Sequence, residues 1–175
     1  VLIQAKLEEQ RQCSQCGSLD TGRSFFRLLA SDHRAHRSAT LAMLVDDSGL
    51  QTRLEDMYAV LSGGSNLLAF TKVLEPESLL CVLVDTRLMP DDPFLWKAIL
   101  SALRTDGLLL LADESLTGSV QCAGTELTEC VLQPLRDAAA SISGNFQFEV
   151  VRLGSKQVRF DWRPILKVVR LATNE

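Results

Sequence analysis

Two pairs of potential metal ligands lie near the start of the chain. Cys13 and Cys16 are separated by two residues, and so are His33 and His36. Thiolates and imidazoles in pairs are the ligands of tetrahedral zinc. However, sixteen residues separate the two pairs and only two separate the histidines, which does not fit a zinc finger of the two-cysteine, two-histidine type. The spacing therefore argues against a metal site, for which these four residues are the candidate ligands.

A basic stretch near the end of the chain offers a second kind of chemistry, the binding of anions. Its residues are Arg152, Lys156, Arg159, Arg163, Lys167 and Arg170. On a β-hairpin several of these side chains would share one face, which predicts possible contact with phosphate, DNA or an acidic microtubule surface. The alternative is a solvated sheet edge whose charges prevent aggregation.

The composition limits the class of protein. The chain has 175 residues, 46% of them hydrophobic, which is enough for one domain with a substantial core. Its formal net charge of -4 argues against a general nucleic-acid binder. Because the longest apolar runs have the length of strands, no contact with a membrane is expected. Five scattered cysteines, an odd number, favour a reducing compartment.

Strands and helices alternate through the middle of the chain. Apolar residues at 50, 54, 57 and 61 follow helical spacing, whereas residues 79–85 form a continuous apolar run typical of a buried strand. The predicted strands cover residues 40–45, 66–71, 79–85 and 108–111, and a hairpin covers 146–153 and 157–162. The predicted helices cover residues 3–12, 51–61, 94–104 and 125–141, with another beginning at Ser24. This alternation predicts crossover connections and a largely parallel sheet.

The order of these elements and their glycines resembles the BRCT domain family. The features that match are the strand ending Val45-Asp46-Asp47-Ser48-Gly49, the helix closing on Ser62-Gly63-Gly64, the two apolar strands, the helix over 94–104, and Gly107 before the last strand. The resemblance covers roughly residues 39 to 135. It implies an α/β fold, a three-layer domain with a central four-stranded parallel sheet flanked by helices. We therefore predict a BRCT-like core over 39–141, an N-terminal helical extension over 1–38 and a C-terminal β extension over 142–175 packed on the core.

The same resemblance implies a phosphate site. In phosphopeptide-binding members, a hydroxyl and a glycine amide after the first strand hold the phosphate together with a lysine of the second helix. Ser48 and Gly49 match the first two, and Lys97 matches the third, with Arg87 as the alternative. Charge-assisted hydrogen bonds of this kind are strong, although neighbouring aspartates would repel a phosphate. The simpler alternatives are that Ser48 caps a helix and that Lys97 is solvated.

The expected partner is therefore a phosphorylated protein or peptide. The resemblance places such a module in a nuclear protein of chromosome segregation, checkpoint control or DNA repair. The decorated form is also similar to the BRCT module of trypanosomatid kinetochore proteins, which bind microtubules. One alternative is a structural BRCT domain that binds no phosphate. In another register, Trp162 follows the last core strand at 157–161 and residues 125–141 form an insertion.

An enzyme is the second alternative. Residues 79–85 through 108–114, with Arg104-Thr105-Asp106-Gly107 before a strand, resemble the later half of a class I methyltransferase. However, no glycine-rich loop follows the first strand to let the backbone approach a cofactor. A Ser-His-acid hydrolase fits poorly too, because both histidines precede the predicted core. On this basis no enzyme and no cofactor are predicted.

Overall fold

The centre of the fold is a six-stranded mixed sheet. The computed structural model describes residues 20–31, 39–113, 133–151 and 165–172. Its strands are Thr40–Leu44 (β1), Ala59–Ser62 (β2), Leu79–Asp85 (β3), Leu103–Ala112 (β4), Asn145–Val151 (β5) and Ile165–Leu171 (β6). They are ordered β2-β1-β3-β4-β6-β5 across the sheet.

The strands run in both directions. β1 pairs in parallel with β2 and β3, and β3 pairs in parallel with β4. β6 lies antiparallel to β4, and β5 lies antiparallel to β6. The predicted α/β class is therefore confirmed, but the four-stranded parallel sheet specific to BRCT domains is not supported, because two antiparallel strands extend it.

Helices cover both faces of this sheet. They are Asp20–Ser31 (α1), Ser48–Glu55 (α2), Leu67–Lys72 (α3), Pro93–Ala102 (α4) and Gln133–Ser141 (α5), with a 3-10 turn at Thr86–Leu88. The apolar residues of α1 and α2 pack with one set of strand side chains, and those of α3, α4 and α5 pack with the other set. β3 lies between the two layers and is buried along its whole length. Its continuous apolar sequence follows from burial on both faces.

Two predicted elements after β1 are wrong. The predicted helix over 51–61 ends at Glu55, and residues 59–62 form strand β2 instead. The predicted strand over 66–71 is helix α3, which begins where the Asn66 side chain accepts a hydrogen bond from the Ala69 amide at 3.1 Å. The apolar run Leu67–Phe70 is short enough to suit either element, and the asparagine cap decides in favour of the helix.

The prediction that Gly107 ends a helix is also wrong. Helix α4 ends at Ala102 and β4 follows at once. The pairs Leu79↔Leu103 and Cys81↔Leu108 show that β4 advances five residues while β3 advances two, so three extra residues bulge out of the strand. A Cβ atom on Gly107 would lie 2.6 Å from the Arg104 carbonyl oxygen, so glycine is needed to close this bulge.

The first strand of the predicted hairpin, over 146–153, is confirmed in β5. β5 covers 145–151, but its described partner is β6 at 165–171, and β6 lies between β5 and β4. The predicted strand over 157–162, the register using Trp162, the helix over 3–12 and the first part of the helix over 125–141 fall outside the described residues. The divisions at 38 and 141 stay predictions, although β6 after residue 141 pairs with β4 before it.

Arg170 joins several segments at the amino end of the parallel strands. Its guanidinium donates to the carbonyl oxygens of Leu103 at 2.7 Å, Ser143 at 3.2 Å and Ser101 at 3.4 Å. It also lies 3.4 Å from a carboxylate oxygen of Glu77. Only 12% of its side chain is exposed, so this member of the predicted basic stretch has a structural role.

Among the helices of the described segments, none has both the length and the apolar composition needed to cross a membrane.

Candidate functional site

The candidate site is a crevice at the carboxyl ends of β1 and β3. These strands are neighbours, but the chain leaves β1 through α2 on one face and leaves β3 toward α4 on the other. Because the two loops leave neighbouring strands toward opposite faces of the sheet, a crevice opens between them, and open α/β sheets bind ligands in such crevices. The topology therefore locates the site before any side chain is considered.

The loop on the β1 side is short and held by Asp47. Asp47 is 5% exposed, and its Oδ1 accepts a hydrogen bond from the Leu50 amide at 3.0 Å. Its main-chain oxygen accepts a hydrogen bond from the Gln51 amide at 3.1 Å. A helix begins with four amides that have no partner within the helix, so the amides of Ser48 and Gly49 are the two that Asp47 leaves for a ligand or water.

The loop on the β3 side is held by a pair of charges. The Arg87 side chain donates to both carboxylate oxygens of Asp85, and the shortest distance, from Nη2 to Oδ2, is 2.7 Å. Asp85 is buried, whereas 54% of the Arg87 side chain is exposed. The Thr86 hydroxyl donates to Asp113 Oδ2 at 2.5 Å, which joins the carboxyl ends of β3 and β4. Arg87 therefore presents a cation whose position is fixed by a buried carboxylate.

A buried hydroxyl group without a described hydrogen-bond partner lies at the end of β2. Ser62 is only 7% exposed, and its Oγ has no hydrogen-bond partner in the described part of the chain. The chain then turns through Gly64, which has a φ of 76° and forms an antiparallel bridge with Val45. Because a buried hydroxyl without a partner costs about 1–3 kcal/mol, Ser62 is a candidate to bind a polar ligand group.

Three of the four residues predicted to bind phosphate lie at this crevice. Ser48 is exposed at the first position of α2, Gly49 is buried next to it, and Arg87 lies on the opposite loop. The cap of α2 is Asp47, so the alternative in which Ser48 caps the helix is wrong. Lys97 is not brought to them, because α4 packs on the other face and its Nζ lies 5.7 Å from the centre of the Phe94 ring. Ligand binding by the first three stays a prediction.

The other predicted sites are not found within the described residues. No cluster of three or more histidine, cysteine or acidic side chains able to hold a metal occurs in residues 20–31, 39–113, 133–151 or 165–172. The candidate ligands Cys13, Cys16, His33 and His36 lie outside these ranges. DNA or microtubule contact and a nuclear location stay predictions.

Sequence reasoning missed three residues of the crevice, namely Asp47, Ser62 and Asp85. Asp85 ends the apolar run of β3, and a polar residue in that place is a usable signal because parallel strands carry ligands at their carboxyl ends. Asp47 precedes an apolar periodic segment, which is the usual signal for a helix cap. Ser62 gave no signal, because the strand that it ends was predicted as helix.

Comparisons with solved structures reveal the fold. A phosphoethanolamine N-methyltransferase 2 from Haemonchus contortus, with S-adenosylhomocysteine bound, matches with a TM-score of 0.53 at 20% identity over 89% of this chain and 39% of its own. A putative S-adenosylmethionine-dependent methyltransferase from Methanococcus maripaludis matches with a TM-score of 0.54 at 9% identity over 89% and 87%. The O-methyltransferase TomG from Streptomyces achromogenes matches with a TM-score of 0.52 at 14% identity over 89% and 81%. The chain spans about two fifths of the Haemonchus enzyme.

No protein-family profile and no curated protein sequence matches the chain. The structural matches show that it is a methyltransferase-like domain with the fold of S-adenosylmethionine-dependent methyltransferases. The identification of a BRCT domain is therefore wrong, and so are the phosphopeptide-binding and kinetochore assignments that followed from it. The prediction that the chain is not an enzyme rested on the BRCT identification and falls with it, because the chain shares its fold with solved methyltransferases. The second alternative, a class I methyltransferase-like domain, is the one supported.

Proposed function

We propose that the chain binds S-adenosylmethionine in the crevice between β1 and β3 and transfers its methyl group to an acceptor. The observation that carries this proposal is the similarity to methyltransferases over nearly nine tenths of the chain, including two whose own lengths are matched for more than 80%. The switch in winding at β1 and β3 supports it independently, because it locates a ligand crevice without reference to any relative.

The donor set of the crevice fits this cofactor. S-adenosylmethionine carries a carboxylate, an ammonium group and two ribose hydroxyls. The α2 amides of Ser48 and Gly49 and the Arg87 guanidinium suit the carboxylate, because helix starts and arginines favour anions. Exposed Asp46 suits the ammonium group, and the buried hydroxyl of Ser62 suits a ribose hydroxyl. Gly49, in the first turn of α2, is the only glycine between the start of β1 and the end of α2, so the close approach of the backbone to the cofactor depends on this one position.

When bound, S-adenosylmethionine would supply a methyl carbon on a positively charged sulfur, so that attack by a nucleophile on this carbon breaks the carbon–sulfur bond and S-adenosylhomocysteine leaves. The residues of the chain then have three tasks. The amides of Ser48 and Gly49 bind one end of the cofactor, Ser62 orients the other end, and the Asp85–Arg87 pair holds the β3 loop against it. Fixing the two reactants in this way supplies much of the rate enhancement of a group transfer.

The charges at the same edge favour a positively charged acceptor. Asp46 and Asp91 are exposed there, after β1 and before α4. Asp92 caps α4 through the Phe94 amide at 2.9 Å, and Asp113 directly follows β4. Carboxylates that surround a crevice attract cations and raise their local concentration. An amine, which is attracted as an ammonium ion and attacks the methyl group after losing a proton to water, is therefore the first acceptor class to test.

Calorimetric titration of the 175-residue chain with S-adenosylmethionine tests the proposal. If the cofactor binds, a ligand at about one hundred times its Kd also stabilises the fold by about 2.7 kcal/mol, which raises the melting temperature by roughly 5–10 °C. Arg87→Gln should weaken binding about tenfold, whereas Lys97→Gln on the opposite face is the matched control and should leave it unchanged. The absence of any heat or thermal shift at millimolar cofactor would refute the proposal.

Transfer is tested separately with radiolabelled S-adenosylmethionine and panels of amine, hydroxyl and carboxylate acceptors. Labelling of an amine above the other classes is the expected result. Labelling confined to carboxylate acceptors would contradict the electrostatic argument while leaving cofactor binding intact.

A further inference from the structure

Helix α1 packs directly against α2. Phe25, Leu28 and Leu29 of α1 are buried in the same apolar cluster as the side chains of α2. The Arg53 guanidinium of α2 lies 3.6 Å above the centre of the Phe26 ring, and arginine over an aromatic face is a favourable contact. These contacts hold α1 against α2.

Gly22 is the point at which α1 meets this loop. A Cβ atom on Gly22 would lie 2.0 Å from Asp47 Oδ2, 3.0 Å from Asp47 Cγ and 3.3 Å from Leu50 Cβ. Atoms do not approach to 2.0 Å without a bond, so any side chain at this position must move the carboxylate. Glycine is a poor helix former, and its presence within α1 runs against helix preference. The contact with Asp47 supplies a physical reason for it.

Asp47 transmits this contact to the crevice. Its Oδ1 accepts from the Leu50 amide at 3.0 Å, while its Oδ2 occupies the place that a Cβ atom on Gly22 would need. Because Asp47 is almost fully buried, it has little freedom to adopt another position. A displacement of the carboxylate would break the cap and tilt the amides of Ser48 and Gly49, which open the same helix.

We infer that Asp47 is a positioning residue of the ligand crevice and that α1, through Gly22, sets the position of its carboxylate. This inference rests on the proposed function for the identity of the ligand. The N-terminal helix is then part of the binding machinery without touching the ligand. Ligand affinity and the packing of α1 are linked, and each responds to a change in the other.

A double-mutant cycle on Gly22 and Asp47 tests the inference. Gly22→Ala should weaken S-adenosylmethionine binding at least tenfold, although alanine favours the helix. Asp47→Ser keeps a capping side chain but shortens it away from Gly22. In the Asp47→Ser background, Gly22→Ala should therefore have almost no further effect on Kd. Ala30→Gly, an exposed substitution in α1, is the matched control for helix propensity and should leave Kd unchanged.

Hydrogen exchange at the Leu50 amide distinguishes a local effect from a general loss of stability, because a general loss would accelerate exchange throughout α2. Gly22→Ala should accelerate this exchange more than that of Leu54 in the same helix. Additive effects of the two substitutions on Kd, or Leu50 exchange equal to that of the wild type, would overturn the inference. If the wild-type chain binds no S-adenosylmethionine, the proposed function fails, and the same cycle measured by Leu50 exchange still decides whether α1 positions the loop.

Discussion

Replacing Arg170 should destabilise the fold far more than replacing its acidic neighbour. Arg170→Met keeps most of the apolar stem of the side chain and removes every donor. Three main-chain carbonyl oxygens, those of Ser101, Leu103 and Ser143, then lose this donor, although the Ser101 oxygen still accepts from the Glu77 amide at 2.9 Å. Glu77→Gln removes only the ion pair with Arg170, in which 68% of the glutamate side chain is exposed.

The expected magnitudes follow from these contacts. A hydrogen bond from a charged donor contributes about 1.5–3 kcal/mol, and the 2.7 Å bond to Leu103 accounts for most of the effect because the other two are longer. We expect Arg170→Met to lower the free energy of unfolding by about 3 kcal/mol. The exposed ion pair contributes less than about 1 kcal/mol, so Glu77→Gln should be nearly neutral.

Urea unfolding followed by circular dichroism measures both changes, provided that the dependence on urea concentration is unchanged. In thermal unfolding, the loss in Arg170→Met corresponds to a drop of roughly 6–12 °C for a chain of this size. Arg170→Lys is the matched control for charge, because lysine keeps the charge but lacks the planar fork needed to reach several carbonyls. Equal losses for Arg170→Met and Glu77→Gln, or full stability in Arg170→Lys, would refute the reasoning.

Three other predictions concern the crevice and the core. Ser62→Ala should leave the free energy of unfolding unchanged or raise it by up to about 1 kcal/mol, and it should weaken S-adenosylmethionine binding. Ser24→Ala, which removes another buried hydroxyl without a described partner, should change stability alone. Chemical denaturation measures the effect on stability, and calorimetry measures the effect on binding. Asp47→Ala should cost about 1 kcal/mol through the lost helix cap, and a chain as stable as wild type in urea would contradict the assignment of that cap. Leu83→Ala, at a fully buried position of β3, should cost about 2–5 kcal/mol in the same assay, and a cost below about 1 kcal/mol would show that the strand is not central.

The parallel part of the sheet could be predicted from the sequence, whereas its edges could not. β1 and β3 are apolar along their length, and burial on both faces produces that pattern directly. β2 has only four residues, too few to show a period, and it follows α2 after three residues. Its side chains continue the spacing of the helix by chance, so the local pattern could not separate the two elements.

Part of the candidate site could be predicted from the sequence: Ser48, Gly49 and Arg87 lie at the crevice, Lys97 does not, and ligand binding stays a prediction. A helix start that exposes amides suits a BRCT phosphate site and a methyltransferase cofactor site alike. The strands that distinguish the two folds are β5 and β6, which come from the far end of the chain: β6 pairs with β4, and β5 pairs with β6. Long-range pairing of this kind is decided by packing and leaves little trace in local sequence.

The bulge in β4 has a practical consequence. Arg104, Thr105 and Asp106 are exposed, and Asp106 already has a φ of 63°, so this short segment departs from strand geometry without disturbing the pairing on either side. It lies at the amino end of the sheet, whereas the crevice lies at the carboxyl end, a separation of about 20 Å along a seven-residue strand such as β3. A fluorophore, an affinity tag or a second folded domain could be attached at this exposed segment without contacting the ligand crevice.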